Sequence, residues 1–409
     1  MRTLERNAAP QLRSTDAHRH ARAHGREPGN RHGMIFTNAR LICSDGIRDR
    51  LELIESGGKI CDIRAAAQYP EPDAFDLGGN FLAPGFIDLH VHGALGRDTM
   101  EGTADAFRAI CNFHASGGTT TLCLTTATAP IDEIVRVLTA ARAAGIMIHL
   151  EGPFISPQRA GAQKTNFIRE PDADVMNRLL EFADVIKRVT LAPELHGACE
   201  AIERFRESAI AVSGGHSDAW DEDAQHAFAA GMRQVTHTFN CMSSARKRGT
   251  ERIAGLLEFA LSEPEIMCEL IADGHHVSTT LMKMLYRAKG AAGICLVTDA
   301  TAGAGLPNES PFELAGTDCV VADGACWLAD KSALAGSAAR MIDLVRIVIE
   351  RVGVPVHEAI RMATANPAQA VGLTSKGKLE VGCDADFVLL SPEFDVVQTF
   401  VAGEQIFVR

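Results

Sequence analysis

The sequence predicts an α/β fold: a distorted (β/α)8 TIM-like barrel, with a small β-sandwich domain formed from both chain ends. Three observations carry this. The middle of the chain alternates apolar strand-like runs with helix-like stretches. Those runs number eight and are nearly continuous in apolar residues, as parallel strands covered on both faces must be. Both ends of the chain read instead as short strands separated by turns.

In chain order, residues 1–33 stand apart. RTLERNAAPQLRSTDAHRHARAHGREPGNRHG carries seven arginines and four histidines against three acids. Such a segment buries too little surface to offset its ordering entropy and is expected to be disordered. An Arg-rich transit peptide would need a stronger apolar face. An over-long gene start is the preferred reading, because Met34 directly precedes the first strand-like run. Residues 34–82 hold MIFTNARLICS and LELIESGGKICDIR, punctuated by Ser44-Asp45-Gly46 and Gly57-Gly58. Residues 376–409 read the same way, so the two ends are assigned to one small β domain.

Residues 83–375 are assigned to the barrel. Its strand candidates begin in FLAPGFIDLHV and continue with TTTLCLTT, IMIHLEGPF, VTLAPEL, AIAVSGGH, QVTHTF, MCELIAD and ICLVTDA. Helix-like stretches lie between several of them: ADAFRAICNFHASG, IDEIVRVLTAARAAG and DEDAQHAFAAG, each closed by a glycine where a C-cap wants one. An open doubly wound sheet would more usually show a Gly-rich phosphate loop after its first strand, and none is present.

Composition excludes several classes. A net charge of −12 disfavours nucleic-acid and anionic-membrane partners. The eleven cysteines are scattered without a CxxC pair, the usage of a reducing cytoplasm. No apolar run of about 18 residues exists, so no transmembrane helix is expected.

Barrel enzymes carry their chemistry at the C-terminal ends of the strands. In FIDLHVHG, alternation puts Asp88, His90 and His92 on one face and Ile87, Leu89 and Val91 on the other. Strand three ends in Glu151, with His149 one layer deeper on the same face. Strand five ends in His216, strand six in His237 and strand eight in Asp299. Taken singly, each residue has an ordinary alternative: a surface or core histidine, or an acid capping the next helix. Together, four imidazoles and two carboxylates at one barrel mouth predict a site for a divalent metal, with donors enough for two ions. His114, His226 and His357 lie in helical contexts and are read as structural.

FIDLHVHG, HLEGPF, TLAPE, SGGHSDA, THTFNCM, IADGHHV and LVTDATAGAG occur in an order that resembles the N-acetylglucosamine-6-phosphate deacetylase family of the amidohydrolase superfamily, from about residue 34 to the C-terminus. The resemblance implies metal-dependent hydrolysis of the acetamide of N-acetyl-D-glucosamine 6-phosphate. It implies a metal on Glu151, His216 and His237, with His90 and His92 able to hold a second ion bridged by Glu151. The ion would be zinc, iron or another divalent cation, one or two per subunit. It further implies Asp299 as general acid/base, and Asn240 (with its neighbour Cys241), Arg248 and His276 as substrate-binding residues. A small-molecule amino-sugar phosphate is the expected partner, in a cytoplasmic homodimer.

Two departures from the family pattern lie near the substrate. Many members carry histidine where this chain has Gln163, which can donate a hydrogen bond to a substrate carbonyl but cannot carry a proton's charge. The loop KRGTERIAG is one residue longer than usual after Arg248. These leave open a different N-acyl amino sugar, such as the galactosamine epimer. A cyclic amidase would be expected to bridge its metals with a modified lysine on strand four, which VTLAPEL lacks. A non-catalytic relative is disfavoured by the intact ligand set.

Overall fold

The computed structural model describes residues 33–69 and 71–409. The expected disordered tail over 1–33 therefore lies, except for Gly33, outside the described residues. Eight parallel strands form the central sheet. They are strand one (Phe86–Val91), two (Thr119–Thr126), three (Met147–Glu151), four (Ile186–Leu191), five (Ala211–Gly214), six (Gln234–Val235), seven (Met267–Leu270) and eight (Ile294–Leu296). Most of their residues are buried, as parallel strands covered on both faces must be. Strand one does not pair with strand eight as a ladder. A lone parallel bridge between Val91 and Ala300 brings the two together, with the Asp299 amide donating to the His90 carbonyl at 2.9 Å. The barrel is thus nearly closed, and its seam runs directly beneath His90, His92 and Asp299.

Helices follow every strand: Ala104–Ala115, Ile131–Ala144, Ala173–Leu180, Ala198–Glu207, Asp221–Ala230, Leu256–Ser262, Thr279–Lys289 and, after strand eight, Met341–Ile347. The helix Ile131–Ala144 shows why. Ile131, Ile134, Val137, Leu138 and Ala141 form a buried stripe, and Gly145 at φ 67° caps its last carbonyls. The helix Ala104–Ala115 departs from expectation. Its C-cap is Ser116 in a right-handed conformation, and the glycines come after it. Before the eighth helix, a three-stranded antiparallel insert spans Pro311–Leu314, Thr317–Ala322 and Ala325–Leu328.

A second eight-stranded sheet is knitted from both ends of the chain. Phe81–Pro84 is its link, parallel to Met34–Cys43 on one side and antiparallel to Phe387–Leu390 on the other. Phe36, Phe387 and Phe400 pack at its centre with ring centroids 4.8–5.4 Å apart. The two sheets meet at Gly85, where a Cβ would stand 2.3 Å from the Thr120 side chain, so only glycine lets the chain pass from one to the other.

Candidate metal centre

Strand ends bring five predicted ligands together. His90 and His92 face each other with Nε2 atoms 3.3 Å apart, and His216 and His237 do so at 3.1 Å. Glu151 stands between the pairs. Its Oε1 lies 3.3–3.4 Å from Nε2 of His90, His216 and His237, and its Oε2 lies 3.1 Å from Nε2 of His92. The donors divide into two triads sharing one carboxylate, His90–His92–Glu151 and Glu151–His216–His237.

The arrangement fits a cation on two counts. Glu151 Oε1 is buried and makes no hydrogen bond although three imidazole nitrogens surround it. Each Nε2–Nε2 spacing is also close to the ~3.4 Å expected for two nitrogens on one tetrahedral zinc at 2.0–2.1 Å. Two imidazole lone pairs brought this close repel unless a proton or a cation lies between them. The electrostatics carry the same message. Burial works against the charge of Glu151, but His90, His216 and His237 outweigh it and hold the carboxyl well below its usual range. Burial likewise opposes charging His216, yet Cys241 and Glu151 raise it well above the ordinary imidazole value. His237 is lowered, chiefly by burial. The cluster demands positive charge around one carboxylate, which protons or a divalent ion can supply.

Backbone geometry aims these side chains. His216 (φ 46°), His237 (φ 32°) and Asp299 (φ 49°) all adopt left-handed backbone two or three residues beyond a strand end, at a cost of about 1 kcal/mol or more each. Backbone carbonyls orient two of the rings: His216 Nδ1 lies 2.8 Å from the Arg159 carbonyl, and His237 Nδ1 lies 3.2 Å from that of Asn240. Asp299 Oδ1 stands 3.4 Å from Nε2 of both His90 and His92, facing into the cluster.

The remaining predicted residues occupy different positions. Gln163 does not wait for substrate: its Nε2 donates to Glu151 Oε2 at 2.8 Å, and its Oε1 accepts the Thr128 amide at 2.7 Å. Gly161 (φ 57°) lets this loop approach, since a Cβ there would meet Cys241 Sγ at 2.7 Å. Cys241 is itself half-buried. Asn240 donates its side-chain amide to the His237 carbonyl at 3.2 Å. His276 is nearly buried with Nδ1 2.7 Å from Asp273, and that carboxylate, with help from Asp299, raises its pKa against the pull of burial. Arg248 sits on an exposed hairpin over Trp220, paired with Glu222. It touches none of the five ligands in this structure. His114 is a neutral core residue, pushed down to about 4 by burial.

Residue patterning did not single out Arg188 and Glu269, which lie beneath the cluster. A charged residue at inward parity on a barrel strand was the available signal: Arg188 precedes Thr190 by two in IKRVTL. A cavity of about 630 Å3 beside the helix Val356–Met362 shares no residue with the cluster. Two of its cations, Arg48 and Lys378, are already paired with Asp45 and Glu380.

The chain is similar to known proteins over nearly its whole length. Residues 81–406 match the model of the amidohydrolase family. An N-acetylglucosamine-6-phosphate deacetylase of Lysinibacillus sphaericus is 34% identical over 383 residues, covering 90% of this chain and 97% of that protein. A crystal structure of an N-acetylglucosamine-6-phosphate deacetylase from Pasteurella multocida superposes with a TM-score of 0.86 at 31% identity, covering 92% of this chain and all of that one. A mutant deacetylase from Mycobacterium smegmatis in complex with N-acetyl-D-glucosamine-6-phosphate gives a TM-score of 0.86 at 28% identity, with 92% and 100% covered.

Proposed function

The chain belongs to the amidohydrolase family and, within it, to the N-acetylglucosamine-6-phosphate deacetylases, and from that premise we propose how its residues perform the reaction. The enzyme hydrolyses the acetamide of N-acetyl-D-glucosamine 6-phosphate to acetate and D-glucosamine 6-phosphate, in amino-sugar metabolism. The observation that carries the mechanism is Glu151 set between two imidazole pairs with Asp299 facing one of them.

Glu151, His216 and His237 would hold one divalent ion, and His90 and His92 a second that shares Glu151. Zinc suits an all-imidazole and carboxylate donor set, and iron or another first-row ion suits it too. Such an ion supplies Lewis acidity, making water a far stronger acid and polarising an amide carbonyl. Asp299 takes the proton of the attacking water and returns it to the amide nitrogen, so that the amine leaves neutral. His276, with Nδ1 tied to Asp273, has Nε2 available to a sugar hydroxyl, and Asn240 and Cys241 line the turn beside His237. Arg248 leaves Glu222 to grip the phosphate with its guanidinium fork.

The unpaired state of all eleven cysteines supports a reducing, cytoplasmic setting. No helix among the described residues is long and apolar enough to cross a membrane. A homodimer is proposed from the family resemblance alone, and sedimentation at micromolar concentration tests it. The activity is tested by acetate release from N-acetylglucosamine 6-phosphate, beside the unphosphorylated sugar and the galactosamine 6-phosphate epimer. Strong preference for the first is expected. Failure of all three by metal-loaded protein would overturn the proposal.

A further inference from the structure

The barrel floor holds two opposite charges that no step above uses. Arg188, from strand four, and Glu269, from strand seven, are 0% and 2% exposed and form a direct ion pair. The second terminal nitrogen of Arg188 donates to Ser213 Oγ at 2.8 Å, which fixes the guanidinium against strand five. Glu269 Oε2 accepts the His237 backbone amide at 3.0 Å and lies 3.4 Å from Nδ1 of His90. One carboxylate therefore touches a member of each ligand triad. Burying two charges costs several kcal/mol per ion unless their geometry and further hydrogen bonds compensate. As mere filling for a barrel, the pair is a poor choice. Its position under His90 gives it a use.

We propose that Glu269, held in place by Arg188, is a positioning residue that fixes the tautomer of His90. A carboxylate can only accept, so Nδ1 of His90 must donate to it. The neutral ring then has no proton on Nε2, and that lone pair points toward His92 and Glu151, where a cation would bind. His216 and His237 have their Nδ1 atoms against backbone carbonyls, so their tautomers do not depend on Glu269. Control by Glu269 is therefore selective: it acts on the His90–His92 side of the centre and spares the other.

Glu269→Gln tests this, because a neutral carboxamide is a weaker acceptor for the Nδ1 proton of His90 at the oxygen that also takes the His237 amide. If its NH2 end turns to the ring, it donates into Nδ1 and leaves the proton on Nε2, aimed at the cation. The inference rests on the two-triad metal reading, so wild type is measured beside the variant. Metal-free proteins are titrated with Zn2+ and Co2+ in competition with a chelator, following Co2+ visible absorption, and His90→Ala identifies the step belonging to the His90–His92 side. The expected result is a loss of about 10–100-fold in affinity at that step with an altered Co2+ spectrum. Affinity at the Glu151–His216–His237 step should stay within about threefold, well inside the loss expected at the other step. Identical titrations of variant and wild type, or equal weakening of both steps, would overturn the inference alone. Wild type that takes up no ion would overturn the metal reading itself. Should Glu269→Gln not fold, Arg188→Met/Glu269→Met removes both charges together, a replacement that buried ion pairs often tolerate, and the same outcomes decide.

Discussion

Replacing Asp299 by asparagine separates the proposed proton transfer from every structural duty of that position. Asp299 sits at φ 49°, a left-handed conformation that asparagine tolerates as aspartate does. Its Oδ1 is 3.4 Å from Nε2 of both His90 and His92, so an isosteric amide keeps the packing and loses only the capacity to take a proton. A positioned acid/base group contributes about 10²–10⁴-fold, and here one carboxylate serves both proton transfers. The expected fall in kcat therefore lies near the upper end, about 10³–10⁴-fold, or ~4–5 kcal/mol of barrier. KM for the sugar phosphate and the bound metal should be unchanged. Asp299→Ala is the companion. It should lose similar turnover but add ~1–2 kcal/mol of backbone strain, visible as a lower Tm. Steady-state acetate release, metal analysis and a thermal melt give the three readouts. Asp299→Asn that keeps more than about a tenth of wild-type turnover would refute the assignment, since a base worth 10²-fold or more cannot be removed so cheaply.

Other perturbations reach other parts of the site. Gln163→Ala removes the donor to Glu151 Oε2 and strands the Thr128 amide, so stability should fall by about 1–3 kcal/mol and metal affinity by about tenfold, read by melting and chelator competition. Arg248→Ala should raise KM for the phosphorylated sugar by about 10–100-fold and leave the poor turnover of the unphosphorylated sugar unchanged. Equal effects on both sugars would remove Arg248 from the phosphate site. His114 titrates at about 4 in the folded chain, below the ~6.5 of an unfolded histidine. The unfolded state then binds more protons as pH falls, so the stability contributed by neutral His114 is lost from pH 6.5 down to about 4. Between pH 7 and pH 5 the loss amounts to about 2 kcal/mol, and His114→Gln should flatten that part of the pH–Tm profile.

The sequence by itself determined whatever depends on short-range periodicity. Alternation along FIDLHVHG puts His90 and His92 on one face, and the apolar runs ahead of Glu151, His216, His237 and Asp299 mark them as strand ends. The candidate donors that cluster in the structure were legible because a barrel gathers its strand ends at one mouth. Helices were less legible: Ala198–Glu207 and Thr279–Lys289 were not singled out, although their buried faces pack as helices do. Only the tertiary structure decided which donors share Glu151, that Gln163 turns onto that carboxylate, and that Arg248 rests on Glu222. It alone joined Arg188 to Glu269, 81 residues away, beneath His90. Periodicity states which face a side chain takes. Barrel closure, shear and loop geometry state which faces meet, and those are properties of contacts made across the whole chain.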